Sequence, residues 1–321
     1  MNVSIILTVF NEAGSIGQLL DSIAQQTMRP DEVVIVDAGS TDRTLAIIEN
    51  FSQHNPSLAI ATKVVTGNRS VGRNAAILLA RNEYIVCTDA GCTLDPDWLQ
   101  KITAPFSQSP PADFVGGWYQ PLVVTAWDMS LAAILGFNAH QVNAKTFLPS
   151  TRSMAFKKTL WAAVGGFNER NSHSEDTPFS RDMRKACIRF VFVPKAVVHW
   201  SLVQSYGAIY RTIARYALGD GEQRLWMSQY RILSIGTLLE IGFAIMGFLM
   251  SPSAWLVGAI CMLGYLYLPL ATSQYPRRAI SLYQVPLMKA TLIAGNLFGF
   301  YRGLFRQSTS TSSTTHNSIQ P

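Results

Sequence analysis

Residues 1–42, MNVSIILTVFNEAGSIGQLLDSIAQQTMRPDEVVIVDAGSTD, read in order as strand, polar turn, helix, strand and polar turn. Residues 3–9 form a short apolar, β-branched run of the kind that fills a strand buried on both faces. Residues 15–26 carry a helical pattern, and residues 33–36 return to a strand. Outward from there the alternation continues. Residues 44–51 predict a helix, 58–65 a strand, 74–81 a helix and 84–87 a fourth strand. Strand and helix in alternation imply right-handed crossovers and an α/β fold with a mostly parallel sheet. Polar residues gather just past the strands, at 8–12, 37–42 and 89–97. Ligands of open α/β sheets bind at these carboxyl ends, so the three clusters can converge on one crevice.

From about residue 113 the pattern is less regular and is punctuated by Gly116, Gly117, Gly165 and Gly166. Strand-like pieces at 153–156 and 190–193 frame a polar stretch at 168–182, and a further strand is expected at 196–199. Residues 118–147 are rich in aromatic and aliphatic side chains, which suit core packing or an interfacial helix that guides a lipid acceptor.

The charge distribution is uneven. Residues 1–200 hold 17 Lys/Arg and 17 Asp/Glu, whereas residues 201–321 hold 9 and 3, so the whole +6 lies in the last third. A nucleic-acid binder carries its basic face on the folded domain, and that partner is excluded on this ground. Basic residues beside apolar stretches suit anionic lipid on the cytoplasmic side. Two such stretches, 232–250 and 253–272, are each about as long as a membrane-crossing helix, with Ser251-Pro252 between them. Arg224 and Arg231 precede the first and Arg277 and Arg278 follow the second, placing both flanks on the cytoplasmic side. A third stretch, 285–305, holds Lys289 and Arg302 and fits either a span or an interfacial helix. The Ser/Thr-rich tail from 307 reads as disordered. The four cysteines, Cys87, Cys92, Cys187 and Cys261, are scattered and make neither a disulfide framework nor a CxxC site. No signal peptide is apparent between Met1 and the first strand. The expectation is a multi-pass membrane protein with its catalytic domain in the cytoplasm. Its parts are a domain at 1–225, a membrane region at 226–306 and a tail at 307–321.

Six short motifs stand in order: Thr8-Val9-Phe10-Asn11-Glu12, Val36-Asp37-Ala38-Gly39-Ser40-Thr41-Asp42, Gly72-Arg73-Asn74, Thr88-Asp89-Ala90-Gly91, Gly165-Gly166-Phe167-Asn168-Glu169 and Glu175-Asp176. In that order and spacing they resemble family 2 glycosyltransferases with the GT-A fold, from residue 3 to about 200. The resemblance implies a nucleotide-sugar donor, a UDP- or GDP-sugar, bound by Thr8, Phe10, Glu12, Asp37, Arg73 and Asp89. It implies magnesium or manganese held by Asp89 and His199, with Asp176 as the general base of an inverting transfer. Glu175 and Trp118 fall on the acceptor side, and the apolar segments point to a lipid or membrane acceptor. The family's metal motif is Asp-x-Asp, and here it reads Asp89-Ala90-Gly91.

Each residue type suits its task. A carboxylate can accept a base N–H or ribose hydroxyls, hard oxygens can hold a divalent ion at a diphosphate, and a base must reach the acceptor hydroxyl. Plainer roles stand beside these. Asp37 can cap the following helix, Glu175 and Asp176 can complement a helix dipole, and His199 can be structural. Gly91 also leaves open a non-catalytic nucleotide-sugar-binding protein. A dinucleotide oxidoreductase is excluded, since no G-x-G-x-x-G follows the first strand. A transporter is disfavoured because two or three apolar segments cannot enclose a pathway.

Overall fold

The computed structural model describes residues 1–314 apart from 172, 250–251, 272 and 277–278. Contacts divide the chain into two units, Met1–Leu122 with Ala139–Ser201 and Val123–Asn138 with Leu202–Pro321.

The first unit opens with β1 (Val3–Val9), α1 (Ile16–Ala24), β2 (Glu32–Asp37), α2 (Thr44–His54), β3 (Ile60–Val64), α3 (Arg69–Leu79) and β4 (Tyr84–Cys87). Successive side chains of a strand point to opposite faces. Val3, Ile5, Leu7 and Val9 accordingly enter one apolar layer, with Leu19 and Leu20 of α1. Ile6 enters the other, with Ala76 and Ile77 of α3. β5 (Cys92–Leu94), α4 (Trp98–Thr103) and β6 (Phe114–Leu122) follow. After α5 (Ala126–Leu135), which belongs to the second unit, come β7 (Met154–Lys157), α6 (Lys158–Ala163), α7 (Asp176–Ala186) and β8 (Phe190–Ser201). The sheet order is β3-β2-β1-β4-β7-β6-β8-β5.

The parallel expectation holds for β1 to β4. The other half is mixed: β7 runs antiparallel to β4 and β6, β8 is parallel to β6, and β5 is antiparallel to β8. Hydrophobic periodicity identifies a strand but carries no information on its direction, which is why the mixed half was not foreseen. Two boundaries also differ. α3 begins at Arg69 rather than 74, because Asn68 caps it by accepting the Val71 N–H at 3.1 Å. β8 is one strand of 12 residues that continues through Pro194, where two were expected.

β6 was not foreseen, because Gly116 and Gly117 look like turn residues. They answer instead to close packing. A Cβ on Gly117 would lie 2.1 Å from Ser153 Oγ and 2.7 Å from the Ala196 carbonyl, and one on Gly116 would lie 2.6 Å from Pro149. Without them, the buried Trp98 Nε1 donates to Ser153 Oγ at 2.9 Å, and that hydroxyl donates to the Ala196 carbonyl at 3.2 Å.

The second unit is helical: α5, α8 (Tyr206–Glu222), α9 (Met227–Leu249), α10 (Pro252–Ala271) and α11 (Val285–Thr314). α5 starts with a reciprocal cap, Thr125 Oγ1 accepting the Asp128 N–H while Asp128 accepts the Thr125 N–H. Gly295, Gly299 and Gly303 recur every fourth residue of α11 and face the carbonyls of Tyr210, Ala214 and Leu218 on α8. A Cβ on Gly299 or Gly303 would lie 2.2 Å from its opposing oxygen. The helices therefore meet backbone to backbone, by the small-residue spacing that permits such approach. Tyr230 of α9 stacks on Phe300, with ring centroids 3.8 Å apart.

Three expectations for this region change. The first unit ends at Ser201 rather than 225, since α8 packs along α11. Among the described residues no helix is long and apolar enough to cross a membrane, so the spans expected at 232–250 and 253–272 and the multi-pass reading are unsupported. Met250, Thr272 and the basic flank Arg277-Arg278 lie outside the described residues. Residues 307–314 continue α11 as helix instead of starting a disordered tail, and 315–321 lie outside the described residues.

Gly117→Ala is expected to destabilise the first unit by about 2 kcal/mol or more, because the added methyl overlaps a hydrogen-bonded side chain and a carbonyl. Urea unfolding followed by tryptophan fluorescence measures it; an unchanged midpoint contradicts the packing argument.

Candidate active site

The β1–β2 register sets Val9 beside Asp37, which brings the polar loops after both strands level with each other. Asn11, at φ 56°, turns the first loop into the second. Its N–H donates to Ser40 Oγ at 2.9 Å, and its Oδ1 accepts the Thr41 N–H at 2.9 Å. The Glu12 N–H donates to Thr44 Oγ1 at 2.8 Å, and the Ala13 N–H to Asp42 Oδ2 at 3.1 Å. Asp42 is thus engaged within the loops. Glu12 accepts the Ser15 hydroxyl at 2.5 Å, at the start of α1. Phe10 is 57% exposed at the rim. Asp37 is fully buried, and its Oδ1 accepts the N–H groups of Gly39 and Ser40, both at 2.7 Å. Its Oδ2 has no hydrogen-bond partner. Through Oδ1 the carboxylate thus closes the turn after β2 and does not cap α2, whose N-cap position is Arg43.

Gly72-Arg73-Asn74 lies on α3, and each residue has a distinct job. A Cβ at Gly72 would come 2.8 Å from Thr8 Cγ2, so glycine lets α3 approach the end of β1. Asn74 Oδ1 accepts the Phe167 N–H at 2.9 Å, while Nδ2 donates to the Phe167 carbonyl at 2.8 Å and to Glu169 at 2.9 Å. This ties down the Gly165-Gly166-Phe167 turn, whose glycines sit at φ 80° and 74°. Arg73 is 3% exposed and joins two carboxylates: Nη2 meets Asp89 Oδ1 at 2.9 Å and Nη1 meets Glu175 Oε1. Burial works against the Arg73 charge, but the two carboxylates outweigh it and push its pKa up. Burial lifts the Asp89 carboxyl, and Arg73, Arg152 and Arg69 reverse this and hold it below its ordinary value.

Glu175 occupies the N-cap position of α7 and Asp176 is its first residue. Glu175 is buried and paired with Arg73. Asp176 is half-buried. Burial, followed by the adjacent Glu175 charge, pushes its carboxyl above the usual range, against Arg73, Arg152 and a hydrogen bond from Ser150.

The turn Ser150-Thr151-Arg152 was missed. Thr151 Oγ1 donates to Asp89 Oδ2 at 3.3 Å, and Ser150 bonds Asp176. Trp118 is also differently placed: it is 6% exposed and packed among Tyr119, Phe147 and Phe192, which makes it a core residue. His199 Nε2 pairs with Asp95 Oδ1 at 2.9 Å, where β5 meets β8. Among the described residues no three His, Cys, Asp or Glu side chains form a metal-holding cluster, so Asp89 and His199 do not belong to one.

Likeness to known proteins gives the class to which this sheet belongs, the glycosyltransferases. A model described as glycosyl transferase family 2 matches residues 4–160, and one described as glycosyl transferase family group 2 matches residues 84–288. The second covers more than half of the sequence, and the chain belongs to that family.

It is 25% identical over 213 residues to the O-antigen chain rhamnosyltransferase of Salmonella typhimurium, a match covering 63% of this chain and 67% of that enzyme. It is 27% identical over 150 residues to the poly(ribitol-phosphate) beta-glucosyltransferase of Bacillus spizizenii, covering 46% of this chain and 21% of the relative. The match thus spans about a fifth of that longer relative's length. In structure it is similar to mannosyltransferase PcManGT from Pyrobaculum calidifontis, solved with GDP-Man and Mn2+. That likeness has a TM-score of 0.60 at 20% identity and covers 95% of this chain and 88% of that one.

Arg73→Met should destabilise the first unit by about 3 kcal/mol, because it leaves two carboxylates buried without their cation. Chemical denaturation is the measurement, and a loss below about 1 kcal/mol would show that the two acids relax to water or protonate at little cost.

Proposed function

We propose that the chain is an inverting glycosyltransferase that moves a sugar from a UDP- or GDP-sugar to a hydroxyl of a membrane-associated or lipid acceptor. The observation that carries this reading is Asp176. It is an acid of raised pKa, next in sequence to Glu175, which Arg73 joins to Asp89. In this reading Asp37 Oδ2 accepts a hydrogen bond from the nucleoside, Thr8, Phe10 and Glu12 line its entry, and Arg73 keeps Asp89 ionised beside the diphosphate. Asp176 takes the proton of the acceptor hydroxyl. That oxygen forms the new bond to the anomeric carbon as the bond from the anomeric carbon to the diphosphate oxygen breaks, and the nucleoside diphosphate leaves with the electron pair. Attack opposite the leaving group inverts the anomeric centre.

For a magnesium or manganese ion, Asp89 offers one hard oxygen donor, and Gly91 supplies no second. Asp89 would help hold such an ion, which would supply counter-charge to the diphosphate. His199, paired with Asp95, is left out of this donor set.

The acceptor class rests on the second unit. α9 and α10 expose Ile232, Leu238, Leu249, Leu256 and Ile260, each at least 60% accessible. Apolar surface of that extent marks a membrane or protein contact. A groove of about 1050 Å³ runs along α9, α10 and α11, lined by Leu233, Ile241, Met262 and Leu287 among others. The second unit is proposed to lie against a bilayer, with the first on the cytoplasmic side.

Asp176→Asn should lower kcat by about 10³-fold while donor binding stays unchanged, the usual scale for losing a general base. The assay incubates membranes with radiolabelled nucleotide sugars and counts extracted lipid. Equal turnover in the variant defeats the base assignment, counts confined to the aqueous phase defeat the lipid acceptor, and donor binding without any turnover in wild type favours a purely binding protein. The base works ionised. Because its folded pKa is raised, activity should fall with acidification at a pH above the ordinary aspartate range, and the Asn variant should lose that limb.

A further inference from the structure

The groove formed by α9, α10 and α11 lies wholly within the second unit, and its volume of about 1050 Å³ is that of a site for one ligand. Along α9 its lining runs from Gln229 to Ala244, a helical rise of about 22 Å, and along α11 from Pro286 to Leu297, about 16 Å. Such a length suits an extended hydrocarbon chain. Gly236, Ala244, Ala290 and Ala294 are small residues of its walls, and a Cβ on Gly236 would meet nothing within 4 Å.

The polar side chains along this lining differ in one respect. Gln229 Oε1 accepts the Ser228 hydroxyl, and Thr237 Oγ1 donates to the Leu233 carbonyl, both at 2.8 Å. Glu240 Oε2 is buried and has no hydrogen-bond partner. Lys289 of α11 is engaged by Tyr265, donating to its carbonyl with Nζ 3.9 Å from the ring centroid. A buried carboxyl oxygen without a partner costs free energy that a ligand with a matching group recovers. A hydroxyl both donates and accepts, so it satisfies a carboxyl group in either protonation state, whereas an ammonium satisfies only the ionised one.

We propose that this groove binds one long-chain lipid alcohol, with its chain along α9 and α11 and its hydroxyl on Glu240. The inference rests on the proposed reading of the second unit as the lipid-facing one, and it is independent of the chemistry assigned to Asp176.

The test measures retention of tritiated tetradecanol by the full chain in dodecyl maltoside, less that of empty micelles. Wild type should retain the label saturably, and unlabelled tetradecane should displace it about tenfold less well than unlabelled tetradecanol. Glu240→Leu should weaken retention about tenfold, while Glu240→Gln, which keeps an acceptor oxygen, should stay within about threefold of wild type. Gly236→Phe fills the groove and should abolish saturable retention. Retention equal in wild type and Gly236→Phe overturns the inference, as does tetradecane competing as well as tetradecanol. Stronger displacement by tetradecylamine would assign Glu240 to a cation instead. Dimers that Gly236→Phe separates, with no retention in wild type, would give the groove to a second copy of the chain. If circular dichroism shows the variants unfolded, the tetradecanol and tetradecane competition on wild type decides. Flotation with phosphatidylcholine vesicles separates the two levels. A chain that floats but retains no alcohol overturns the inference alone, and one that does not float overturns the lipid-facing reading with it.

Discussion

The organisation of the site depends on one buried cation. Arg73 reaches from α3 to Asp89 after β4 and to Glu175 at the start of α7. A guanidinium without partners could not remain at such burial, and two carboxylates without it could not both stay ionised. The motif around it serves that placement. Gly72 brings α3 close to β1, and Asn74 holds the Phe167 turn by its backbone. The Arg73 guanidinium lies 5.6 Å from the Phe167 ring centroid, and that ring stacks on Phe179 of α7 at 3.8 Å. The segment carrying Glu175 and Asp176 is therefore located by charge and by aromatic packing together.

The same arrangement separates the behaviour of neighbouring acids. Asp89 and Asp176 are both affected by Arg73 and Arg152, yet the first is held down and the second is raised. Direct bonding to Arg73 makes the difference for Asp89, whereas Asp176 has the Glu175 carboxylate as its covalent neighbour. Groups whose environments drive their proton affinities apart are the ones that divide labour in catalysis.

Much of the first unit was legible because local pattern and burial agree there. β1, β2 and β4 are continuous apolar runs, and Asp95-Pro96-Asp97-Trp98 leads into α4 as a helix start should. Reading failed where distant groups decide the outcome. Gly116 and Gly117 resemble a turn until Ser153 and Ala196 are placed against them. His199 shows no partner in the sequence until the fold sets Asp95, 104 residues earlier, beside it. Asp37, Arg73, Asp89 and Asp176 sit in ordered motifs, which is why the sequence alone singles them out as candidates. Ser150, Thr151 and Arg152 sit in no motif, and only the fold brings them to those acids.

The glycine ladder of α11 has a mechanical meaning. At Gly299 and Gly303 the nearest neighbours across the seam are backbone atoms of α8, and at Gly295 an α8 carbonyl stands beside the Ile213 side chain. Contacts built of side chains can yield by changing rotamers, and those at Gly299 and Gly303 have none to change. Along that stretch α8 and α11 should bend and translate as one stiff pair.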